Sequence, residues 1–348
     1  MGRVSKNIKN NYLHMKHTFF VSINTSGNSS IRCANRPVKQ HYMKRISQSL
    51  AILSCLILAS CTKAEMITDL PADINKTTTT TTQPNSFKRG SAFSTGTSIG
   101  SWNNNVVNLK SNWYYTWGLN SCTDPKAPSN VEFVPMFWGH SSVTQANVDI
   151  INQLYRQGKI FYVLGFNEPD LTAESNMSVA QALEDWKFLS DNLDKGIKLV
   201  SPAGSWPGVQ WFKDFMTGVQ QQGLRLDHIA LHIYMGQSPS TYTNQVQNIY
   251  ALYGKKIWIT EFAPRDDSAV SGQPTTNHYS AQWILDNFMT SLLPQLENMD
   301  AVYRYSWFSG SPTMAGLWTS MLVDGTGNLT VLGNYYKTLN PNNLALVP

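Results

Sequence analysis

Eight short runs of apolar and aromatic residues recur along the last 260 residues of the chain, and segments of helical period separate most of them. The runs cover residues 91–95, 113–117, 131–138, 160–166, 197–203, 228–234, 257–261 and 301–307. Strands that alternate with helices favour a parallel sheet covered by helices. Eight such units in this length predict an α/β fold, a (β/α)8 TIM barrel, as a single domain over residues 89–348.

Two of the segments between the runs have a clear helical pattern. Residues 178–193 begin with Ser178 and Gln181 at the spacing of a capping box, and their apolar residues recur every three or four positions. Residues 279–296 show the same period. The first two segments between runs have weaker helical patterns, so the count of eight units depends mainly on the strands.

The run 228–234 separates its side chains onto two faces. His228, Ala230, His232 and Tyr234 share one face, which we expect to line the barrel interior and its mouth. The two histidines would stand about 13 Å apart, at roughly 3.3 Å per residue of strand, and cannot share one metal ion. Because no His-Glu-x-x-His or Cys-x-x-Cys motif occurs in the sequence, we expect no catalytic metal and no cofactor.

The N-terminal part of the chain has the composition of an export signal and a linker. Residues 43–60 combine a basic start, a short apolar stretch and small residues. The sequence from Leu58 to Cys61 resembles the lipobox of bacterial lipoproteins, which implies cleavage before Cys61 and lipidation of its sulfur; an ordinary secretory signal is the alternative. Residues 1–42 are expected to be an over-extended N-terminus, and the Thr-rich residues 61–88 a flexible tether. We therefore expect an exported lipoprotein at the outer membrane or cell surface.

The distribution of charge argues against a nucleic-acid partner. Nine of the 27 Lys and Arg residues lie in residues 1–60, which contain no Asp or Glu. The other 18 basic residues are outnumbered by 22 acidic ones, so the basic excess belongs to the leader alone. Contact with a membrane is expected only through the lipid anchor, and we expect a monomer.

Two glutamates stand at the ends of predicted strands, in apolar surroundings. Glu168 follows the run 160–166, and Glu261 ends the run 257–261. Burying a carboxylate beside aromatic residues costs free energy unless it has a partner or a purpose. Reactive groups of a TIM barrel lie at the carboxyl ends of its strands. A protonated carboxyl beside an ionised one is the machinery of glycoside hydrolysis, because one protonates the leaving oxygen while the other attacks the anomeric carbon.

The two motifs resemble those of the retaining glycoside hydrolases of clan A. The fuller stretches, 164–170 (LGFNEPD) and 258–263 (WITEFA), resemble glycoside hydrolase family 128, the endo-β-1,3-glucanase family. The closing segment 322–336 is also similar to that family. The resemblance covers residues 89–340, and it implies a TIM barrel that cleaves internal β-1,3-glucosidic bonds.

Carried onto this chain, the resemblance implies Glu168 as general acid/base and Glu261 as nucleophile. It also implies that Asn167 bonds the sugar 2-hydroxyl, and that Tyr234 orients Glu261 through its own hydroxyl. His232 is a further expected substrate contact. Retention of configuration predicts carboxyl groups about 5–5.5 Å apart, against roughly 6.5–9.5 Å for inversion.

Other acidic and aromatic residues receive more general expectations. Asp170 is expected to hold its loop, and the remaining acids are expected at the surface or at helix caps, among them Glu132, Glu174, Asp227 and Asp324. Aromatic residues near strand ends predict a groove that stacks on sugar rings of a neutral polysaccharide, a β-glucan. These residues are Trp117, Trp138, Trp206, Trp307 and Trp318.

Two alternatives to a β-1,3-glucanase stay open at this point. Another clan A hydrolase, acting on xylan, mannan or mixed-linkage glucan, would use the same two glutamates. A surface glycan-binding lipoprotein would keep the groove without turnover. A nucleotide-binding enzyme is disfavoured, because no Gly-rich phosphate loop follows the first strand.

Overall fold

The computed structural model describes residues 87–96 and 100–339, and all of them fall in one compact unit, 81–348. The predicted export signal, Cys61 and nearly all of the tether lie outside the described residues. Lys88, assigned to the end of the tether, is buried and donates to the carbonyl oxygens of Glu297 and Met299 at 2.7 and 3.0 Å. The folded body therefore begins before residue 89. Within the described ranges, no helix is both long and apolar enough to cross a membrane.

The described residues alternate between strands and helices along most of the chain. The strands are β1 (Arg89–Ala92), β2 (Trp113–Tyr115), β3 (Glu132–Phe133), β4 (Tyr162–Leu164), β5 (Lys198–Val200), β6 (Ile229–Ile233), β7 (Ile257–Phe262) and β8 (Val302–Trp307). The helices are α1 (Trp102–Asn108), α2 (Gln145–Arg156), α3 (Val179–Asn192), α4 (Gln210–Gln221), α5 (Pro239–Tyr253), α6 (Ala281–Ile284), α7 (Thr290–Asn298) and α8 (Val331–Thr338).

Strand pairing follows the order of the chain around a ring. One parallel sheet has the order β3-β2-β1-β8-β7-β6, and a second pairs β4 with β5. Parallel bridges between Met136 and Leu164, and between Val200 and His228, join the two sheets at both edges. This connectivity is that of a (β/α)8 barrel, and it confirms the predicted α/β fold.

The elements differ from the predicted runs mainly in length. The predicted strand 131–138 is reduced to β3 and the separate bridge at Met136, because Pro135 between them has no N–H to donate to a ladder. No α-helix of the described residues separates β2 from β3. The predicted helix 279–296 is divided into α6 and α7 by a π-helical turn, Leu285–Met289. The helix predicted at 178–193 forms as α3, and the Ser178 hydroxyl accepts the Gln181 N–H as an N-cap.

Two apolar clusters divide the interior. One lies inside the barrel and includes Trp113, Leu164 and Trp258. The other lies between strands and helices and includes Ile229 and Leu231 of β6. The alternation of side chains along β6 therefore matches its prediction, since Ala230 belongs to the inner cluster and its neighbours to the outer one.

A cation and several aromatic rings fill the barrel near the amino-terminal ends of its strands. The Arg304 guanidinium lies 4.7 Å from the ring centres of both Tyr162 and Trp258 and donates to Glu132 Oε2 at 2.6 Å. Glu132 was expected at the surface or at a helix cap, but it is the counter-charge of this buried arginine. The His228 ring stacks on Tyr303 at 4.6 Å in the same cluster.

Candidate active site

Glu168 lies just beyond β4 on a strained backbone. Its N–H donates to Ala203 O at 2.8 Å, so the residue is held against the chain that follows β5. Its φ is +39°, a conformation that non-glycine residues rarely adopt. The following residue, Pro169, disfavours the right-handed helical region at Glu168. The carboxyl is buried, with a residue exposure of 5%.

Glu261 reaches the same space because β7 carries a bulge. Leu231 of β6 pairs with Ile259, but the next residue, His232, pairs with Glu261, so Thr260 has no partner of its own. Strict alternation from Trp258, which faces the barrel interior, would turn Glu261 outward. The extra residue reverses this alternation and directs Glu261 toward the barrel mouth, where it is 6% exposed.

His232 bridges the two glutamates. Its Nδ1 lies 2.8 Å from Glu168 Oε1, and its Nε2 lies 3.5 Å from Glu261 Oε1. One ligand atom from each of the three residues lies within 4.8 Å of the other two. We call Glu168, His232 and Glu261 the carboxylate–imidazole cluster.

The two carboxyl groups raise the pKa of the His232 imidazole. Burial disfavours the imidazolium, but the charge of Glu261 and the hydrogen bond to Glu168 outweigh burial and raise the pKa of His232. His232 was predicted to bind substrate. The structure buries its side chain completely and directs both ring nitrogens toward the carboxylates.

Three neutral donors converge on Glu261. The Tyr234 hydroxyl donates to Oε2 at 2.6 Å, and the Trp117 indole N–H donates to Oε1 at 2.9 Å. Tyr115, which sequence reasoning did not select, places its hydroxyl 3.3 Å from Oε1 and donates to Thr260 O at 3.0 Å. Burial, reinforced by the charge of Glu261, raises the pKa of both Tyr115 and Tyr234 well above its usual value. Both phenols therefore stay protonated and act as donors.

Asn167 and Glu174 form a second polar pair in the site. Asn167 Nδ2 donates to Glu174 Oε2 at 3.1 Å, while Asn167 Oδ1 is buried without a partner among the described residues. Glu174 was expected at the surface or at a helix cap. The structure places it half-buried in the field of Glu168 and Glu261, and burial followed by the charges of these two residues raises the pKa of Glu174. No pattern in the sequence marks this residue, because it lies in the irregular segment between β4 and α3.

The predicted aromatic groove is only partly assembled. Trp117 and Trp138 are half-buried beside the inner cluster, and Trp206 is 37% exposed. Trp307 was predicted to bind substrate, but this prediction is wrong: its side chain is fully buried between strands and helices, and its N–H donates to Ser320 O at 2.8 Å. The next residue, Phe308, takes the place at the mouth and contacts Trp117 and Tyr234 edge to face. Phe308 is the first residue after β8, so its place at the mouth could be predicted only if the end of that strand were known.

Asp170 joins two loops at the mouth. Its Oδ1 accepts the Ser205 N–H at 2.9 Å, and its second oxygen accepts the Ser205 hydroxyl. Ser205 directly precedes the exposed Trp206. The acidic residue two positions beyond Glu168 therefore holds the segment that presents Trp206.

The carboxylate–imidazole cluster has the ligand types and spacing of a small metal site. The contacts around it indicate a different use. Both oxygens of Glu261 accept N–H or O–H donors, and Nδ1 of His232 lies at hydrogen-bond distance from Glu168. These hydrogen bonds hold both carboxyl groups in fixed orientations at the barrel mouth.

Two buried carboxyl groups this close fit double displacement. Oxygens of Glu168 and Glu261 approach within 4.8 Å, below the roughly 6.5–9.5 Å that leaves room for a water molecule in an inverting site. One carboxyl can therefore attack an anomeric carbon that the other has activated.

Known proteins with a similar chain include one curated protein and several solved structures. The chain is 32% identical over 259 residues to alkali-sensitive linkage protein 1 of Schizosaccharomyces pombe. The aligned region covers 72% of this chain and 44% of that protein. The chain thus spans less than half of the length of that relative. A family 128 (subgroup I) endo-β-1,3-glucanase of Amycolatopsis mediterranei, solved with laminarihexaose, is 30% identical, with a TM-score of 0.60 over 73% of this chain and 100% of the other.

A second enzyme of known structure is also similar. The subgroup II endo-β-1,3-glucanase of Sorangium cellulosum is 26% identical, with a TM-score of 0.55 over 72% of this chain and 98% of the other. The sequence model of the glycosyl hydrolase catalytic core matches residues 90–336, nearly the whole of the described barrel. The barrel, its paired glutamates and these similarities together place the chain in the glycosyl hydrolase catalytic core family, as a member of glycoside hydrolase family 128.

Proposed function

We propose that the protein is a retaining glycoside hydrolase that cleaves internal β-1,3-glucosidic bonds of glucans such as laminarin. The observation that carries the proposal is the carboxylate–imidazole cluster, whose two glutamate oxygens approach within 4.8 Å at the barrel mouth. The similarity to a glucanase solved with laminarihexaose supports the choice of substrate.

The first step forms a bond between the enzyme and the sugar. Glu261, ionised and held by its neutral donors, attacks the anomeric carbon with one carboxylate oxygen. The bond from that carbon to the glycosidic oxygen breaks, and Glu168 transfers its proton to the departing oxygen. The products are a glycosyl ester on Glu261, a free sugar chain and an ionised Glu168.

The second step releases the sugar with its original configuration. A water molecule attacks the anomeric carbon, the ester bond to Glu261 breaks, and Glu168 takes a proton from the water. Both residues return to their initial states. His232 contacts both carboxyls and acts as a positioning residue for the pair rather than as a substrate contact.

Residues around the pair are suited to a neutral sugar. Asn167 has a buried amide oxygen available to accept from a sugar hydroxyl, which supports its proposed contact with the 2-hydroxyl. The half-buried Trp138 and the indole face of Trp117 offer apolar surfaces beside the acids. No part of the proposed reaction requires a cofactor.

The wider setting of the enzyme is also a proposal. The signal-like residues 43–60 and Cys61 support export and lipid attachment at the outer membrane or cell surface, with the body acting as a monomer on extracellular glucan. Radiolabelled palmitate incorporated into the full chain, but not into its Cys61→Ala variant, is the expected result.

Mutation of the two glutamates tests the mechanism. Glu261→Ala should abolish turnover of laminarin, and azide should partly restore it by taking the place of the nucleophile. Glu168→Gln should slow laminarin hydrolysis far more than hydrolysis of an aryl glucoside, whose leaving group needs no proton. The matched control is Glu184→Gln, on the exposed face of α3, which should leave both rates unchanged. Less than a tenfold loss in either active-site variant would contradict the assignment.

Product analysis separates the proposed substrate from its rivals. The full chain is incubated with laminarin, xylan, mannan and mixed-linkage glucan, and the products are separated by chromatography. A ladder of β-1,3 oligosaccharides from laminarin supports internal cleavage. Products from another polymer would retain the mechanism with a different glycan, and no product from any polymer would favour a glycan-binding lipoprotein.

A further inference from the structure

Trp117 has a backbone and a hydrogen bond that substrate stacking does not require. Its φ is +56°, which is a genuine outlier for a bulky side chain. It comes two residues after β2, and the indole N–H donates to Glu261 Oε1 at 2.9 Å. Strain of this kind persists only where the surroundings fix the conformation, and it is concentrated at functional sites.

The surroundings of Trp117 hold the indole in this direction. The ring meets Tyr115 edge to face at 5.0 Å and Phe308 in the same way at 6.3 Å. The backbone beyond it is fixed because Met136 N–H donates to Gly118 O at 3.0 Å. The loop after β2 therefore turns the indole toward the acid, with the N–H committed to a carboxylate oxygen.

An indole N–H is a donor that cannot titrate or accept. It stabilises the ionised form of Glu261 without a counter-charge that would reduce its nucleophilicity. When Glu261 becomes an ester, the oxygens lose charge and this hydrogen bond weakens; when the ester breaks, the bond strengthens again. The indole N–H thus acts on the Glu261 carboxylate both before it attacks the anomeric carbon and as it leaves that carbon when the ester breaks.

We propose that Trp117 is a positioning residue for the nucleophile, acting through its indole N–H on Glu261 Oε1. This inference rests on the proposed function, since it requires Glu261 to be the nucleophile. It assigns to the N–H a role separate from any stacking of the indole face on sugar.

The test is a double-mutant cycle in the full chain. Trp117→Phe keeps an aromatic ring and removes the N–H, and it should lower kcat for laminarin by about tenfold or more with little change in KM. In Glu261→Ala with azide, where the carboxylate is absent, the same substitution should change the rate by less than about twofold. The matched control is Trp211→Phe on α4, whose N–H donates to Met177 O at 2.7 Å away from the acids; it should leave kcat unchanged.

A pH profile gives a second, independent readout. The acid limb of kcat/KM should move to higher pH in Trp117→Phe, because a neutral donor favours the ionised acid. Glu168, Glu174 and His232 are common to both proteins, so their influence cancels in the comparison. Thermal unfolding confirms that the variant is folded before either readout is compared.

The outcomes separate the two proposals. An active Glu261→Ala protein without azide would overturn the proposed function, and the role of Trp117 with it. With Glu261→Ala inactive, an equal loss from Trp117→Phe in both backgrounds would assign Trp117 to substrate contact and overturn the inference alone. An unshifted acid limb, or an undiminished kcat in the single variant, would also overturn it.

Discussion

His228 lies in the aromatic cluster near the amino-terminal ends of the strands, away from the proposed chemistry. Burial, followed by the positive charges of Arg304 and two lysines, lowers the pKa of His228 to about 4, although Asp227 opposes the shift. Its Nδ1 is buried without a partner among the described residues. Replacement by Phe removes the titrating group and keeps a ring to stack on Tyr303.

The lowered pKa fixes the sign of the effect on stability. Between pH 6.5 and about 4 the unfolded chain protonates this histidine while the folded protein does not, so the wild type loses stability as the pH falls. At about 1.4 kcal/mol per pKa unit, the shift from 6.5 to about 4 corresponds to at most about 3.5 kcal/mol. Part of the ring is exposed, and solvent screening reduces the expected change to about 2 kcal/mol.

Urea unfolding at pH 4, 5, 6 and 7 measures this change, with tryptophan fluorescence as the probe. The free energy of unfolding of the wild type, relative to His228→Phe, should fall by about 2 kcal/mol from pH 7 to pH 4. All other titrating groups are shared, so they cancel in the difference. Parallel dependences of the unfolding free energy on pH for the two proteins would contradict the prediction, because they would show that His228 protonates equally in the folded and unfolded states.

Three other predictions concern the active site. Tyr234→Phe removes a charge-assisted hydrogen bond worth about 1.5–3 kcal/mol and should lower kcat by roughly 10–150-fold, whereas Tyr250→Phe on α5 should not; equal rates would contradict the contact. The raised pKa of Glu174 means that its ionisation destabilises the fold, so Glu174→Gln should gain stability relative to the wild type in thermal melts as the pH rises above 4.5; a loss would contradict the sign. Hydrolysis of laminarin should persist after dialysis against EDTA. A loss of hydrolysis that an added divalent ion reverses would contradict this prediction and indicate a metal in the carboxylate–imidazole cluster.

Patterns along the sequence predict the fold and draw attention to two glutamates that the structure brings together, for a physical reason. The eight apolar runs follow from the need to bury strands between a filled interior and a helix layer. Glu168 and Glu261 are recognisable because each stands where a buried strand ends. Those features are local in sequence, so they can be identified without knowing the packing.

Features that depend on register and packing could not be predicted in the same way. The bulge at Thr260 directs Glu261 into the mouth. It arises from the register in which β7 pairs with β6 and β8, and no local pattern in the sequence marks it. Which of the two aromatic residues, Trp307 or Phe308, lies at the barrel mouth depends on where β8 ends. Glu174 reaches the acids through an irregular loop, and the N–H of Trp117 depends on one strained dihedral angle.

Double displacement by Glu168 and Glu261 determines the configuration of the first product released from laminarin. Proton NMR of laminarin during the first minutes of hydrolysis distinguishes the two anomers of the new reducing end. We expect the β-anomer to be released first and the α-anomer to grow in slowly by mutarotation. Initial release of the α-anomer would show inversion and contradict the assignment of Glu261 as a covalent nucleophile.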